Sequence, residues 1–364
     1  MKLILGLETS CDETAAAVVR DGREVLSNVV ATQHDLHVRY AGVVPEIASR
    51  AHLERLMPVV QQAIDDAGIQ LTEVDAIAVG NRPGLVGSLI VGVAAAKALA
   101  WSLDKPLIGI DHVRAHLHAG MLVSDQSSII NQQSDMTFPA LGLVVSGGHT
   151  SLYRMDSPAD ITVLGRTIDD AIGEAYDKAG VILDVGYPGG PAMDKLAQQG
   201  DRNAEGVPEL PVSMLKPGSL DFSFSGLKTA LLYAVRGLPV GRGKEATFER
   251  DASDLTPQRK ADLAAAFQHA AVTAVERKIK RAIKQLAAEG VRPQSLVLGG
   301  GVSANSALRE RVQTLGQNHR MSIHLPELGY CVDNAAMIAG YAHELLERGE
   351  TSPLDLPVVA TSRV

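Results

Sequence analysis

One pattern of strands and turns occurs twice in this 364-residue chain, and it constrains the fold more than any single motif. From the N-terminus, "KLILGLETS" reads as a buried strand that stops at a polar turn. "ETAAAVVRDG" reads as a second strand turning at Asp21-Gly22, and "EVLSNVVA" as a third. From residue 140 the order returns: "LGLVVSGG" is a strand and turn, "HTSLYRMDSP" a strand and turn, "DITVLGRT" a strand, and "DDAIGEAYDKAGVIL" a helix. The halves share negligible identity, so the repeat is one of pattern alone. Two such units predict an α/β protein of two lobes whose first polar turns point into one cleft. The length agrees, since one ordinary core does not hold a chain of this size.

Between the units, helical spacing covers Glu46 to Asp66 and Gly87 to Ser102, with a strand "AIAVG" at 76–80. Late in the chain a helix runs from Pro257 to about Gly290. The strand "SLVLGG", the turn Gly301 to Asn305 and the helix "SALRERVQTLG" follow. Strand, Gly-rich turn and helix together bring backbone N–H groups and a helix start to a ligand. Segments 124–138 and 236–256 are polar and aperiodic, and are expected to be surface insertions.

Composition narrows the class further. Hydrophobic content of 46% with 34 glycines and only 4% aromatics suits close helix packing and tight turns. The apolar stretch from Leu85 to Trp101 is broken by Ser88 and Lys97 and is read as too short for a membrane span. The start "MKLILGLETSCDE" lacks a signal-peptide charge pattern. Cys11 and Cys331 alone support no disulfide framework. The expectation is a cytoplasmic protein with no membrane association. A net charge of −8 excludes nucleic-acid binding through bulk charge. The basic stripe of "ERKIKRAIK", 276–284, reads first as a solvated helix face.

Four groups of residues carry chemistry. In "VVSGGHT", Gly147 and Gly148 let a backbone turn approach a ligand with no Cβ in the way, and Ser146 and Thr150 offer hydroxyls. The turn suits a phosphate or carboxylate, and equally a plain hairpin. In "GLETSCDET", Glu8, Asp12 and Glu13 repel a bare phosphate but suit a metal, an ammonium or a water. Their charge raises a neighbouring thiol, so Cys11 is a poor nucleophile. In "DHVRAHLHAG", His112 and His116 stand four apart, on one helix face and within reach of one metal ion. At this spacing packed histidines are an equal alternative, and His118 points elsewhere. The pair lacks the Glu of H-E-x-x-H. A third ligand has to come from a distant carboxylate, for which "CVDNAAMIAG" offers Asp333, otherwise a helix N-cap. "GEAYDKAG…DVGYPGGP" adds Asp177 and a rigid turn at 188–191, while "LDFSFSGLKTA" reads as a cleft wall or a core strand.

In this order, "LETSCDET", "NRPGLVGSL", "HVRAHLHA", "VVSGGHT", "GEAYDKAG…YPGGP", "FSFSGLKTA", "GGGVSAN" and "CVDNAAMIA" closely resemble the tRNA N(6)-adenosine threonylcarbamoyltransferase family, once called O-sialoglycoprotein endopeptidases. The resemblance covers nearly the whole chain. It implies the actin/Hsp70/sugar-kinase-like fold: an N-terminal lobe of 1–111 plus about 327–364, and a C-terminal lobe of 112–326. It also implies metal ligands at His112, His116 and Asp333, holding one divalent ion, Fe2+ ahead of Zn2+. Substrate contacts fall on Val144, Val145, Ser146, Gly147, Gly148, Asp177, Gly190 and Asn305, with Glu8, Asp12 and Gly300 as further candidates for phosphate or cleft contacts. The implied reaction moves a threonylcarbamoyl group from threonylcarbamoyl-AMP to the N(6) amine of the adenosine 3′ of the anticodon, in tRNAs reading codons that begin with A. The implied partners, besides tRNA, are a metal-free paralogue and a small ATPase. One departure stands out: "NRPGL" stands where the family often has an A/T-x-G-P-G-L run, which makes Asn81 and Arg82 atypical there. A sugar kinase, a metallopeptidase and a non-catalytic scaffold are the rival readings. An intact His-His-Asp set and the missing H-E-x-x-H Glu weigh against them.

Overall fold

The doubled pattern becomes two sheets of matching order in the computed structural model, which describes residues 1–40, 42–124, 136–186, 188–213, 215–241 and 247–361. The first sheet contains β1 (Leu3–Glu8), β2 (Glu13–Arg20), β3 (Glu24–Thr32), β4 (Ala76–Arg82), β5 (Leu107–Asp111) and β6 (Val123–Ser124), in the order β5-β4-β1-β2-β3-β6. The second contains β7 (Ala140–Val145), β8 (Thr150–Met155), β9 (Ile161–Arg166), β10 (Ser295–Gly299) and β11 (Ser322–His324), in the order β11-β10-β7-β8-β9. In each, three consecutive strands pair antiparallel, and the first also pairs parallel with a strand that arrives much later, β1 with β4 and β7 with β10. That central place explains the unbroken apolar runs: β1 and β7 are buried along their whole length. Of the two expected insertions, 125–135 and 242–246 lie outside the described residues.

Helices fill the spaces between and outside the sheets. They are α1 (His34–His37), α2 (Pro45–Ala67), α3 (Val86–Leu103), α4 (His112–His118), α5 (Ile172–Leu183), α6 (Gly189–Ala197), α7 (Ser225–Arg236), α8 (Pro257–Ala288), α9 (Ser306–His319) and α10 (Ala335–Glu347). The pleat sends alternate residues to different cores. On β1, Leu3, Leu5 and Leu7 face α2 and α3, while Ile4 faces α10. On β7, Leu141, Leu143 and Val145 join the core under α5 and α8, while Val144 faces the central core with α4 and α10. α4 is thus held between the two sheets. Gly299 permits this, because a Cβ there would run into the His116 carbonyl.

Several details depart from the sequence expectations. "LDFSFSGLKTA" begins as buried extended chain, with Phe222 bridged in parallel to Thr167 and Phe224 in the core, and is helical from Ser225, so it is a short core bridge and a helix and not a cleft wall. Gly189 and Gly190 open α6, so the 188–191 turn is a helix start. The basic stripe is divided. Lys278 is buried and its Nζ donates to the Ser219 carbonyl at 2.8 Å, joined there by Arg281 at 2.8 Å, while Lys280 pairs with Glu276 at 2.6 Å. α3 has the length and hydropathy of a membrane span, yet it lies along β4 and α2 with Leu89, Val93, Ala96 and Ala100 buried. The outer sides of α2 and α3 leave Leu53, Met57, Val86, Ile90 and Trp101 exposed, an apolar strip. After α10 the chain returns to the first sheet. Ser352 N–H donates to the Leu107 carbonyl at 2.7 Å, and Asn81 Nδ2 donates to the Pro357 carbonyl at 2.9 Å.

Candidate metal centre and substrate cleft

α4 begins at His112 because Asp111, the last residue of β5, caps it. Asp111 Oδ1 accepts from the N–H groups of Val113 at 3.0 Å and Arg114 at 3.2 Å. One turn apart, His112 and His116 set their rings edge to face with centroids 4.7 Å apart. Asp333 is not the cap of α10. Asn334 caps it, accepting from Met337 N–H at 3.0 Å, which leaves the Asp333 carboxylate for the histidines. Its Oδ1 lies 3.4 Å from His112 Nε2 and 3.2 Å from His116 Nε2. One ligand atom from each of the three residues falls within 4.8 Å of the others. His116 is fully buried and neither of its ring nitrogens has hydrogen-bond geometry to any described partner. The Asp333 carboxylate faces its Nε2, and a cation held between the two would satisfy the buried imidazole lone pair and the carboxylate together. Two imidazoles and a carboxylate opening onto a cleft are a fitting donor set for a divalent ion of the iron or zinc kind. Burial opposes charge on Asp333, and the two imidazoles overcome it, holding the carboxyl well below its ordinary range.

Beside this group a cavity of about 1110 Å³ opens between the lobes. On its second-lobe side, Ser146-Gly147-Gly148-His149 joins β7 to β8. The turn is closed by Ser146 N–H to the His149 carbonyl at 2.8 Å and His149 N–H to Ser146 Oγ at 3.2 Å. A Cβ on Gly147, Gly148, Gly190 or Gly301 would meet nothing within 4 Å, and all four line the cavity. Their side-chain space is therefore cavity space. Asp177 fixes the third of these turns, its Oδ1 accepting from Gly189 N–H at 2.8 Å and Gly190 N–H at 3.3 Å. Burial pushes the Asp177 carboxyl up. Asn305 reaches the cavity wall, but its amide is engaged: Oδ1 caps α9 through Leu308 N–H at 2.9 Å, and Nδ2 donates to Gln268 at 2.9 Å.

Three expectations need correction. Glu8 is fully buried under the first turn and does not line the cavity, whereas Asp12 does. Gly300 has φ +89° and a Cβ there would stand 2.5 Å from the Val145 carbonyl, so the close approach of β10 to β7 requires this glycine. Val144 and Val145 send their side chains into the two cores, leaving only main-chain atoms to serve a ligand. Conversely, Ser10, Glu13, His149, Glu174 and Asp194 line the cavity and were not among the expected contacts. Asp194 had a signal, standing four residues after Gly190 on the same helix. Its carboxylate staples α6 to α9 through Ser306 N–H at 3.1 Å and Oγ at 2.8 Å. Burial, with Asp333 and Asp12 nearby, pushes Glu13 up to about 9. Burial, with His112 and His116 beside it, pushes His149 down to about 4. Burial also raises the Cys11 thiol, helped by Asp12 and Asp333, in keeping with an inert cysteine.

Two sheets of one topology, a central helix between them and a His-His-Asp group at the cleft define a two-lobed α/β protein of the actin/Hsp70/sugar-kinase-like class with a site able to hold one divalent metal. The fold is shared with the HypF structure from T. kodakarensis, at a TM-score of 0.57 and 16% identity over 98% of this chain and 49% of that one. Residues 24–340 match the family model of tRNA N6-adenosine threonylcarbamoyltransferase. Proteins of that name from Trichlorobacter lovleyi and Symbiobacterium thermophilum are both 47% identical to this chain, covering 99% and 98% of it and 96% and 95% of their own lengths. The chain belongs to the tRNA N6-adenosine threonylcarbamoyltransferase family.

Proposed function

We propose that this protein is the acyltransferase that moves a threonylcarbamoyl group from threonylcarbamoyl-AMP to N(6) of the adenosine 3′ of the anticodon, in cytoplasmic tRNAs that read codons beginning with A. The observation that carries the reading is that the His112-His116-Asp333 group and the four open glycines border one cavity. The donor is a mixed anhydride and already activated, so no covalent enzyme intermediate is required. The amine lone pair attacks the carbamoyl carbon, the carbon–oxygen bond to phosphate breaks, AMP leaves with the electron pair, and N(6) gives up a proton. What the protein supplies is placement of two substrates and stabilisation of developing charge. Main-chain groups at Gly147, Gly148, Gly190 and Gly301 take the nucleotide end of the donor, because no side chain there fills the space it needs. Bound at His112, His116 and Asp333, a ferrous or zinc ion supplies Lewis-acid stabilisation of that charge.

With a net charge of −8 the isolated chain opposes a polyanion, so partner subunits do much of the tRNA positioning. A metal-free paralogue and a small ATPase fill that role, and the apolar strip on α2 and α3 offers area for a partner protein to bury. The test is a transfer assay with unmodified tRNA, threonylcarbamoyl-AMP and these partners, reading modified nucleoside and AMP by mass spectrometry over a salt series. Equimolar products, made efficiently only with partners and lost as salt rises, are expected. Modified nucleoside that fails to form under every condition, or formation by the chain alone with salt-insensitive tRNA binding, would overturn the respective part.

A further inference from the structure

We propose that Glu8 is a positioning residue for the metal site: it fixes the tautomer of His112 so that Nε2 offers its lone pair to the metal. The proposal rests on the His112-His116-Asp333 reading and adds a residue to it. Glu8 ends β1 with its carboxylate fully buried, and both oxygens are used. Oε1 accepts from Ser10 N–H at 2.5 Å, and Oε2 lies 3.1 Å from His112 Nδ1. Ser10 Oγ stands 3.2 Å from the same nitrogen. On the opposite edge of the ring, His112 Nε2 faces Asp333, the side on which His116 Nε2 also lies. Room for the carboxylate is built in, since a Cβ on Gly80 would stand 2.6 Å from Glu8 Oε2.

A carboxylate has only acceptors to offer, so the nitrogen facing Glu8 carries a proton, and when a metal stands between Nε2 and Asp333 it is Nε2 that gives up its proton and offers the lone pair. Metal-bound histidines are commonly oriented in this way by a carboxylate behind them. A bland alternative exists, in which Glu8 merely closes the first turn through Ser10. Glu8→Gln separates the two. The Ser10 N–H can only donate, so the glutamine oxygen has to face it. The NH2 group then faces His112 Nδ1 and requires that nitrogen to accept. The imidazole proton moves to Nε2, where the metal would bind. A turn-closing role survives this substitution, and an orienting role does not.

The experiment uses the full chain loaded with cobalt(II), with affinity measured by chelator competition and the site read by the visible cobalt absorption band. E8Q should bind cobalt about 10- to 100-fold more weakly than wild type, with an altered band, while its metal-free circular dichroism stays near wild type. Equal affinity in E8Q and wild type overturns the role of Glu8 and leaves the metal site standing. Failure of wild type itself to bind cobalt removes both. A second measurement needs no variant: nitrogen-15 spectra of the zinc-loaded wild-type protein should show His112 protonated at Nδ1 and metal-bound at Nε2. The reverse assignment would sink the proposal even if E8Q does not fold.

Discussion

The two lobes set the same frame around the cleft and fill it with opposite chemistry. In each, a fully buried strand runs into a polar turn and returns antiparallel, β1 into β2 and β7 into β8. The first turn carries Glu8, Asp12 and Glu13. Glu8 goes inward to His112, and the other two face the cavity. The second turn carries two glycines, a hydroxyl and a His149 held neutral by burial. The first turn thus presents carboxyl groups and the second turn main-chain and hydroxyl donors, while Glu174, Asp177 and Asp194 add carboxylates to the second lobe's side of the cavity. The topology decides where a ligand is met, and a handful of turn residues decide which charge it carries. The His112-His116-Asp333 group that could hold a metal lies at the seam, on α4 between the sheets and just before α10.

The largest effect expected of that division is at the seam. Replacing His112 and His116 together by Ala should abolish stoichiometric metal by elemental analysis. It should also cost several kcal/mol of transition-state stabilisation, a loss in transfer rate on the order of 10³. Binding of an adenine nucleotide on the glycine side should persist. If nucleotide binding is lost with the metal, the two sides are one site and the contrast fails. Glycines give the next test, because the structure divides them into two kinds. Gly190→Ala adds a methyl group to open cavity space, so the fold should keep its Tm while KM for the donor rises about tenfold. Gly300→Ala places a methyl group against the Val145 carbonyl at a φ of +89°, and should cost about 1–3 kcal/mol of stability in a thermal melt. Equal behaviour of the two variants would erase the distinction between a ligand cradle and a packing glycine.

That distinction marks where legibility in sequence ends. The doubled strand order is readable because apolar runs, Gly turns and helical spacing are local signals. The His pair and the distant acid are readable because spacing and motif order are local too. "LGGGVSAN" gives no local reason why Gly299 yields to the His116 carbonyl and Gly300 to Val145, while Gly301 faces the cavity. Those assignments come from neighbours brought together by the fold. The same holds for Glu8. Strand alternation puts it on the Ile4 side of β1, yet only the packing of α4 makes that side the one with a histidine. "FSFSG" alternates like a strand and buries both phenylalanines accordingly, but only Phe222 is bridged to the sheet before the helix that starts at Ser225 cuts the strand short.

A pH dependence should separate the turns further. The acidic turn is tied to α2 by His52, whose Nε2 meets the Cys11 carbonyl at 3.0 Å and whose Nδ1 meets Thr14 Oγ1 at 2.8 Å. Burial pushes this imidazole below its ordinary 6.5, only partly offset by the Cys11 carbonyl and the carboxylates of Glu8 and Asp12. The fold therefore favours the neutral ring, and between the two values the unfolded chain binds more protons. The stabilisation is complete above 6.5 and declines as pH falls below it. Melting the protein from neutrality to about pH 5 should show a fall in Tm that His52→Gln reduces. An identical profile in the variant would show that this tie does not couple the acidic turn to pH.

The smallest effect concerns the ends of the late parallel strands, where the lobes differ again. β10 ends in glycine, whereas β4 ends in Asn81 and Arg82. Here the two residues have local work. Asn81 Nδ2 holds the Pro357 carbonyl at 2.9 Å, and the Asn81 carbonyl accepts from Val359 N–H at 3.0 Å. Arg82 Nε lies 3.4 Å from Asp111 Oδ2, the carboxylate that caps α4. The C-terminal segment so fastened brings Ala360 to the cavity wall. Asn81→Ala removes one of the two ties and leaves the main-chain one. The cost should be about 1 kcal/mol and local, since the remainder of β4 is bonded within its sheet. Amide exchange at Val359 should quicken by about fivefold, with Tm and metal affinity unchanged. A drop in metal affinity would place the strap inside the machinery of the first lobe, acting through Arg82 and the cap of α4. Unchanged exchange at Val359 would leave the Asn81 side chain without a structural task.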